Sequence, residues 1–148
     1  MKIMVSACLL GQKCKYNGGD NFSEKVAAFC EGHEVIPVCP EVAGGLPVPR
    51  IPCEIVNGKV INKAGESKDR EFRDGAEKCL AIAKRHKIDL AILQSRSPSC
   101  GVKQIYDGSF SGRLVAGSGV FASRLLKNGF RVMDVEDFLQ NGDQMREI

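Results

Sequence analysis

Two periodicities alternate along the chain. Short apolar runs at residues 2–7, 34–38, 89–93 and 130–134 are rich in Ile, Val, Leu, Met and Phe, and they read as buried strands. Between them, apolar residues recur every three or four positions. In 22–30, Phe22, Val26 and Phe29 share one helical face; in 69–86, Phe72, Ala76, Cys79, Leu80 and Ala83 form a longer stripe. Helices are also predicted over 120–127, ended by Asn128-Gly129, and over 135–139. Pro and Gly residues between 37 and 52 force a long loop. Residues 53–62 read as a hairpin turning at Asn57-Gly58, a pair favoured in type I′ turns, and the turn-rich 105–113 as a second small hairpin.

Alternating strands and helices imply a parallel sheet covered on both faces. The expected fold is a Rossmann-like α/β domain with an open sheet of about four strands, helices on both faces, and short hairpins. The 148 residues suit one such domain over 1–148.

Composition narrows the function classes. At 43% hydrophobic and 26% charged residues, the chain is globular rather than disordered or collagenous. No apolar run nears the roughly 20 residues that cross a bilayer. A net charge of +3 is too weak to imply nucleic acid, though it does not oppose an anionic ligand. With no Trp and two Tyr, a base-stacking platform for nucleic acid is not expected. Val5-Ser6-Ala7-Cys8 has the form of a lipoprotein cleavage box. A signal peptide needs a charged segment and about 7–15 apolar residues ahead of the cleavage site, so the box is rejected and a cytoplasmic location expected.

Cysteine changes the picture. There are seven: Cys8, Cys14, Cys30, Cys39, Cys53, Cys79 and Cys100. A domain with a full apolar core needs no disulfide framework, so the thiols read as reduced. Ligands of open parallel sheets bind beyond the carboxyl ends of the strands. Cys8 follows the first strand, Cys39 the second, and Cys100 lies in the loop after the third, so the three can converge. Cys30, Cys79 and Cys53 read as packing residues, and Cys14 lies undecided near the first strand's end. The chain has no CxxC pair of the kind common in structural zinc sites. Three spaced thiolates suit an iron–sulfur cluster with one open iron, or a three-ligand metal site; the alternative is three unrelated buried cysteines. Gly117-Ser118-Gly119-Val120-Phe121-Ala122 has the GxGxxA form, with Glu136 beyond it. That fingerprint belongs at a first strand and here precedes the last, so a dinucleotide site is not expected. The helix start retains backbone N–H groups for an anionic ligand.

The motifs carry a resemblance. Cys8-Leu9-Leu10-Gly11 with Cys14-Lys15-Tyr16-Asn17-Gly18-Gly19, Cys39-Pro40-Glu41 with Gly44-Gly45-Leu46, Pro49-Arg50 and Pro52, Phe72-Arg73-Asp74-Gly75-Ala76-Glu77, and Ser97-Pro98-Ser99-Cys100-Gly101 with Ile105-Tyr106-Asp107-Gly108 are similar to domain-of-unknown-function family 523. The likeness covers nearly the whole chain. Asn17 stands where Asp is frequent, Gln94 where Lys is common, and Phe121 where Thr is common; 65–69 keeps only the glycine of the family's stretch. Members of that family include thiouracil desulfidases, which hold a 4Fe–4S cluster by three cysteines and remove sulfur from thiolated pyrimidines without net redox change. The resemblance implies Cys8, Cys39 and Cys100 as cluster ligands.

With such a cluster, Glu41 is the candidate base that activates water, and Ser97 a catalytic partner that orients it. Ser99, Arg50, Tyr16 and Asn17 are candidate substrate-binding residues. Each has a plainer reading: a salt-bridged or helix-capping carboxylate, turn serines around Pro98, a surface arginine, a turn before Gly18-Gly19. The expected substrate is a small thiolated pyrimidine. A cluster-free cysteine nucleophile and a binding or sensing module for iron, sulfide or a thiolated metabolite stand as alternatives. The first lacks a motif histidine, since His33 and His86 fall outside the blocks.

Overall fold

The computed structural model describes residues 1–145. In chain order the elements are β1 (Lys2–Ser6), a 3-10 turn (Ala7–Leu10), α1 (Glu24–Cys30), β2 (Glu34–Val38), α2 (Pro40–Ala43), β3 (Cys53–Val56), β4 (Lys59–Asn62), α3 (Asp69–His86), β5 (Leu90–Leu93), β6 (Gln104–Tyr106), β7 (Leu114–Ala116), α4 (Val120–Lys127), β8 (Val132–Asp134) and α5 (Val135–Met145). Strands β2-β1-β5-β8 form one parallel sheet; β3-β4 and β6-β7 are separate antiparallel hairpins. The expectation of an α/β fold with a parallel sheet of about four strands and one or two short hairpins is borne out, with four strands and two hairpins.

The period-2 alternation of the central strands feeds two cores. Met4, Ala91 and Leu93 face α3 and α4, meeting Ala76, Leu80, Phe121 and Leu125. Ile3, Val5, Leu90 and Ile92 face α1 and α5, meeting Val26, Phe29 and Phe138. Phe29 and Phe138 close that face edge to face, ring centroids 5.1 Å apart. Strands buried on both faces read as continuous apolar runs, which is why β1 and β5 were legible. Pro37 is tolerated because β2 is an edge strand.

Three expectations change. Phe22 does not join the α1 stripe: Ser23 caps the helix through Val26 N–H at 3.3 Å, so Phe22 precedes it and is 52% exposed. The long loop between 37 and 52 contains the single-turn helix α2, opened by Pro40 at a position where its missing N–H costs nothing. The terminal helix runs past 139 to Met145, with a break at Asn141. Among the described residues no helix is long and apolar enough to cross a membrane.

Two glycines let α2 and α3 meet backbone to backbone. A Cβ on Gly75 would lie 1.8 Å from Pro40 O, and one on Gly44 1.9 Å from Glu71 O. No side chain fits between the two helices there, and this contact sets where Cys39 and Glu41 stand.

Candidate metal centre

A cavity of about 520 Å³ opens beyond the carboxyl ends of β1, β2 and β5. Cys8, Cys14, Cys39, Cys53 and Cys100 line it, together with Glu41, Arg50, Ser97, Ser99 and Tyr16. The three strand-end cysteines thus share one space with every candidate site residue except Asn17. The Asn17 side chain is turned onto its own loop, accepting from Gly19 N–H at 2.9 Å. His33 and His86 do not line the cavity; His33 Nδ1 contacts the N-terminal amine at 2.8 Å.

Each cysteine is set by local chemistry. Cys8 sits in the 3-10 turn ended by Gly11 in the left-handed conformation, and Asn21 Nδ2 reaches its sulfur at 3.5 Å. Cys39 is the residue before α2. Cys100 closes a serine turn: Ser97 Oγ accepts from both Ser99 N–H and Cys100 N–H at 3.1 Å. The start of α4 grips this turn, with Val120 N–H donating to Pro98 O at 2.8 Å, and Phe121 and Ala122 N–H to Ser99 O at 3.0 and 3.1 Å. A Cβ on Gly119 would lie 2.6 Å from Ser99 O. The GxGxxA stretch therefore packs a helix onto the Cys100 loop. The N–H groups that the sequence left for an anion are bonded within the chain.

The thiols differ electrostatically. Cys14, undecided in the sequence, lies against both Cys39 and Cys8. The proximity of the three thiols raises Cys14 and lowers its two neighbours. Cys39 is lowered to about 6 by Cys14 first, with further help from Val42 N–H and Arg50, against an opposing contribution from burial. Cys8 is lowered by Cys14 and by Asn21, burial again opposing. Burial holds the Cys100 thiol above its ordinary range, with Ser6 and Ser99 pulling the other way. Burial raises Cys79 to about 12 and also raises Cys30; both pack in the cores as small apolar residues do. Cys53, read from sequence as packing, lines the cavity and is pushed up by burial to about 11.

Glu41 and Arg50 form a buried pair, their side chains 14% and 7% exposed. Arg50 Nε donates to Glu41 Oε1 at 3.1 Å and Nη2 makes an ion-pair contact with the same oxygen at 3.1 Å, while Nη1 and Nη2 donate to Pro47 O and Cys14 O. Glu41 Oε2 accepts from Ser99 Oγ at 2.7 Å and, weakly, from Ser97 Oγ at 3.4 Å. The two serine hydroxyls lie 2.9 Å apart. A carboxylate offers about four lone-pair sites. Oε1 faces the guanidinium, whereas Oε2 faces the two serine hydroxyls. Ser6 and Asn21, unflagged in the sequence, join the site through Cys100 and Cys8.

The donor set is soft sulfur, the ligand type of iron–sulfur clusters. Among the described residues no group of three His, Cys, Asp or Glu side chains is gathered as a single metal ion would need. One ion draws thiolates to about 2.3 Å. A cluster takes its thiolates at separate irons, and three cysteine loops reach this one cavity.

Comparison with known proteins agrees with this geometry. A solved structure described as the 4Fe–4S-dependent thiouracil desulfidase TudS superposes with a TM-score of 0.90 and 36% identity, covering 99% of each chain. YbbK of Bacillus subtilis (strain 168), an uncharacterised protein, is 40% identical over 141 residues, 88% of this chain and 93% of its own. The family model for 2-thiouracil desulfurase matches residues 3–137, and the chain belongs to that family.

Proposed function

We propose that the protein is a 4Fe–4S-dependent desulfidase that releases sulfide from thiouracil or a related thiolated pyrimidine, without net redox change. The observation that carries this reading is the oriented Glu41 carboxylate in the same cavity as Cys8, Cys39 and Cys100. Those three cysteines hold the cluster, each from a different strand end. A bound cluster with one iron free of protein ligands supplies a soft Lewis acid for the substrate's sulfur. Glu41 Oε2 takes the proton of the water that attacks the thiocarbonyl carbon. Ser99 fixes that oxygen, and Ser97 holds both Ser99 and the Cys100 turn. Arg50 aims Glu41, its donors committed to the protein. Tyr16 lines the cavity and is partly exposed, in a position to meet the substrate. The unit at work is a single α/β domain in a reducing cytoplasm, and its partner is a small molecule rather than nucleic acid.

The test is anaerobic reconstitution. The wild type is expected to bind about four irons per chain, as a 4Fe–4S centre requires, and to release sulfide from 2-thiouracil. Alanine at Cys8, Cys39 or Cys100 is expected to lower iron content and abolish release. Full iron and wild-type turnover in all three variants would overturn the ligand assignment.

A further inference from the structure

Two aromatic residues of the β6–β7 hairpin line the cavity, and one of them is held against its backbone preference. Tyr106 ends β6, Phe110 sits in the β6–β7 turn, and both line the cavity. Phe110 has φ 55°, in the left-handed region that residues with a Cβ avoid. The conformation is imposed from outside the turn. Glu54 Oε1, on β3, accepts from Gly108 N–H at 2.9 Å and from Phe110 N–H at 3.1 Å. A Cβ on Gly108 would lie 2.7 Å from Ile55 O, so the turn lies directly on the β3 backbone. A carboxylate bonded to two turn amides thus pins a strained aromatic at the cavity. Strain of this kind persists where the surroundings over-determine it, and such places cluster at ligand clamps.

An aromatic face binds a flat heterocycle through its π-surface whatever the ring carries at its edge. We propose that Phe110 is the stacking face for the substrate's pyrimidine ring, and that Glu54 is the positioning residue that holds it there. The ring's identity rests on the desulfidase reading; the clamp is argued from the geometry of the turn. In this arrangement the cysteine loops and Glu41 engage the sulfur-bearing edge, and recognition of the ring belongs to the β6–β7 hairpin.

The test is calorimetric titration of anaerobically reconstituted holoprotein with uracil. Phe110→Leu is expected to bind about tenfold more weakly, as loss of a stacked aromatic predicts. Phe110→Asn, whose side chain tolerates the left-handed region, secures the fold and is expected to show the same loss. Phe110→Tyr is expected to restore affinity. Glu54→Ala is expected to weaken binding with Phe110 still present. In turnover, Phe110→Leu should raise KM and leave kcat near wild type, the mark of lost ring binding rather than lost chemistry. Wild-type affinity in folded Phe110→Leu and Phe110→Asn overturns the proposal, as does a wild type that binds no pyrimidine. The two readings fail separately: a holoprotein that binds uracil through Phe110 yet frees no sulfide from 2-thiouracil supports the stacking and overturns the desulfidase.

Discussion

The two oxygens of Glu41 have different surroundings. Oε1 takes a hydrogen bond from Arg50 Nε and an ion-pair contact from Nη2, so its charge is compensated inside the protein. Oε2 faces hydroxyls, and its 2.7 Å bond from Ser99 leaves it able to accept a proton once a water is present. Glu41→Gln keeps the shape and removes the basicity. Sulfide release is expected to fall by about 10²–10⁴-fold, the usual worth of general-base help, while iron content stays at the wild-type level. Colorimetric sulfide and iron assays on the same preparation check both halves, and unchanged turnover sinks the base assignment. Sequence flagged Glu41, Arg50, Ser97 and Ser99 singly but could not pair them. A stretch of mostly irregular chain separates Glu41 from Arg50, and no periodicity fixes how such a loop returns. Cys14 was undecided for the same reason: its position depends on where the 39–50 loop lies, through Arg50 and Cys14 O.

At the scale of elements, the contact between α2 and α3 controls the site. A glycine inside a helix ordinarily costs about 1 kcal/mol relative to alanine, so Gly75→Ala in α3 would normally stabilise. Here its Cβ would fall 1.8 Å from Pro40 O, and backbone rather than a flexible side chain must yield. The variant is expected to lose about 1–3 kcal/mol, the usual cost of overpacking, and to displace Cys39 and Glu41. Urea denaturation and iron content after reconstitution measure the two effects. Wild-type stability with full iron loading would show that the helices separate freely and that α2 does not set the site. The helix α3 was legible because its stripe of Phe72, Ala76, Cys79, Leu80 and Ala83 runs over several turns, and all five are buried. The helix α2 was not legible. It is one turn long and lies among Pro and Gly, so its own sequence carries no repeat; packing on Gly75 is what forms it.

Across the whole molecule, topology does what no local segment can. The order β2-β1-β5-β8 places three consecutive carboxyl ends side by side, and each of β2, β1 and β5 delivers one cysteine loop to the cavity. That convergence was readable in advance, because parallel strands joined by helical crossovers leave their loops at one edge. Ring recognition was not readable, since it depends on β3 carrying Glu54 beneath a turn more than fifty residues later. The same topology predicts how a cofactor acts on stability. The three proposed ligands would tie together parts of the chain that unfolding must separate, and a group bound only by the folded state stabilises it by mass action. Anaerobically reconstituted protein is therefore expected to melt at a higher temperature than protein stripped of iron by a chelator. For a domain of this size each kcal/mol of added stability raises the midpoint by about 2–8 °C. Cys8→Ala, Cys39→Ala and Cys100→Ala should each shrink this difference, because each frees one loop, whereas Cys30→Ala, in the core on the α1 face, should lower both midpoints and leave the difference intact. A difference that survives all three ligand substitutions would mean that iron is held elsewhere than at the strand ends.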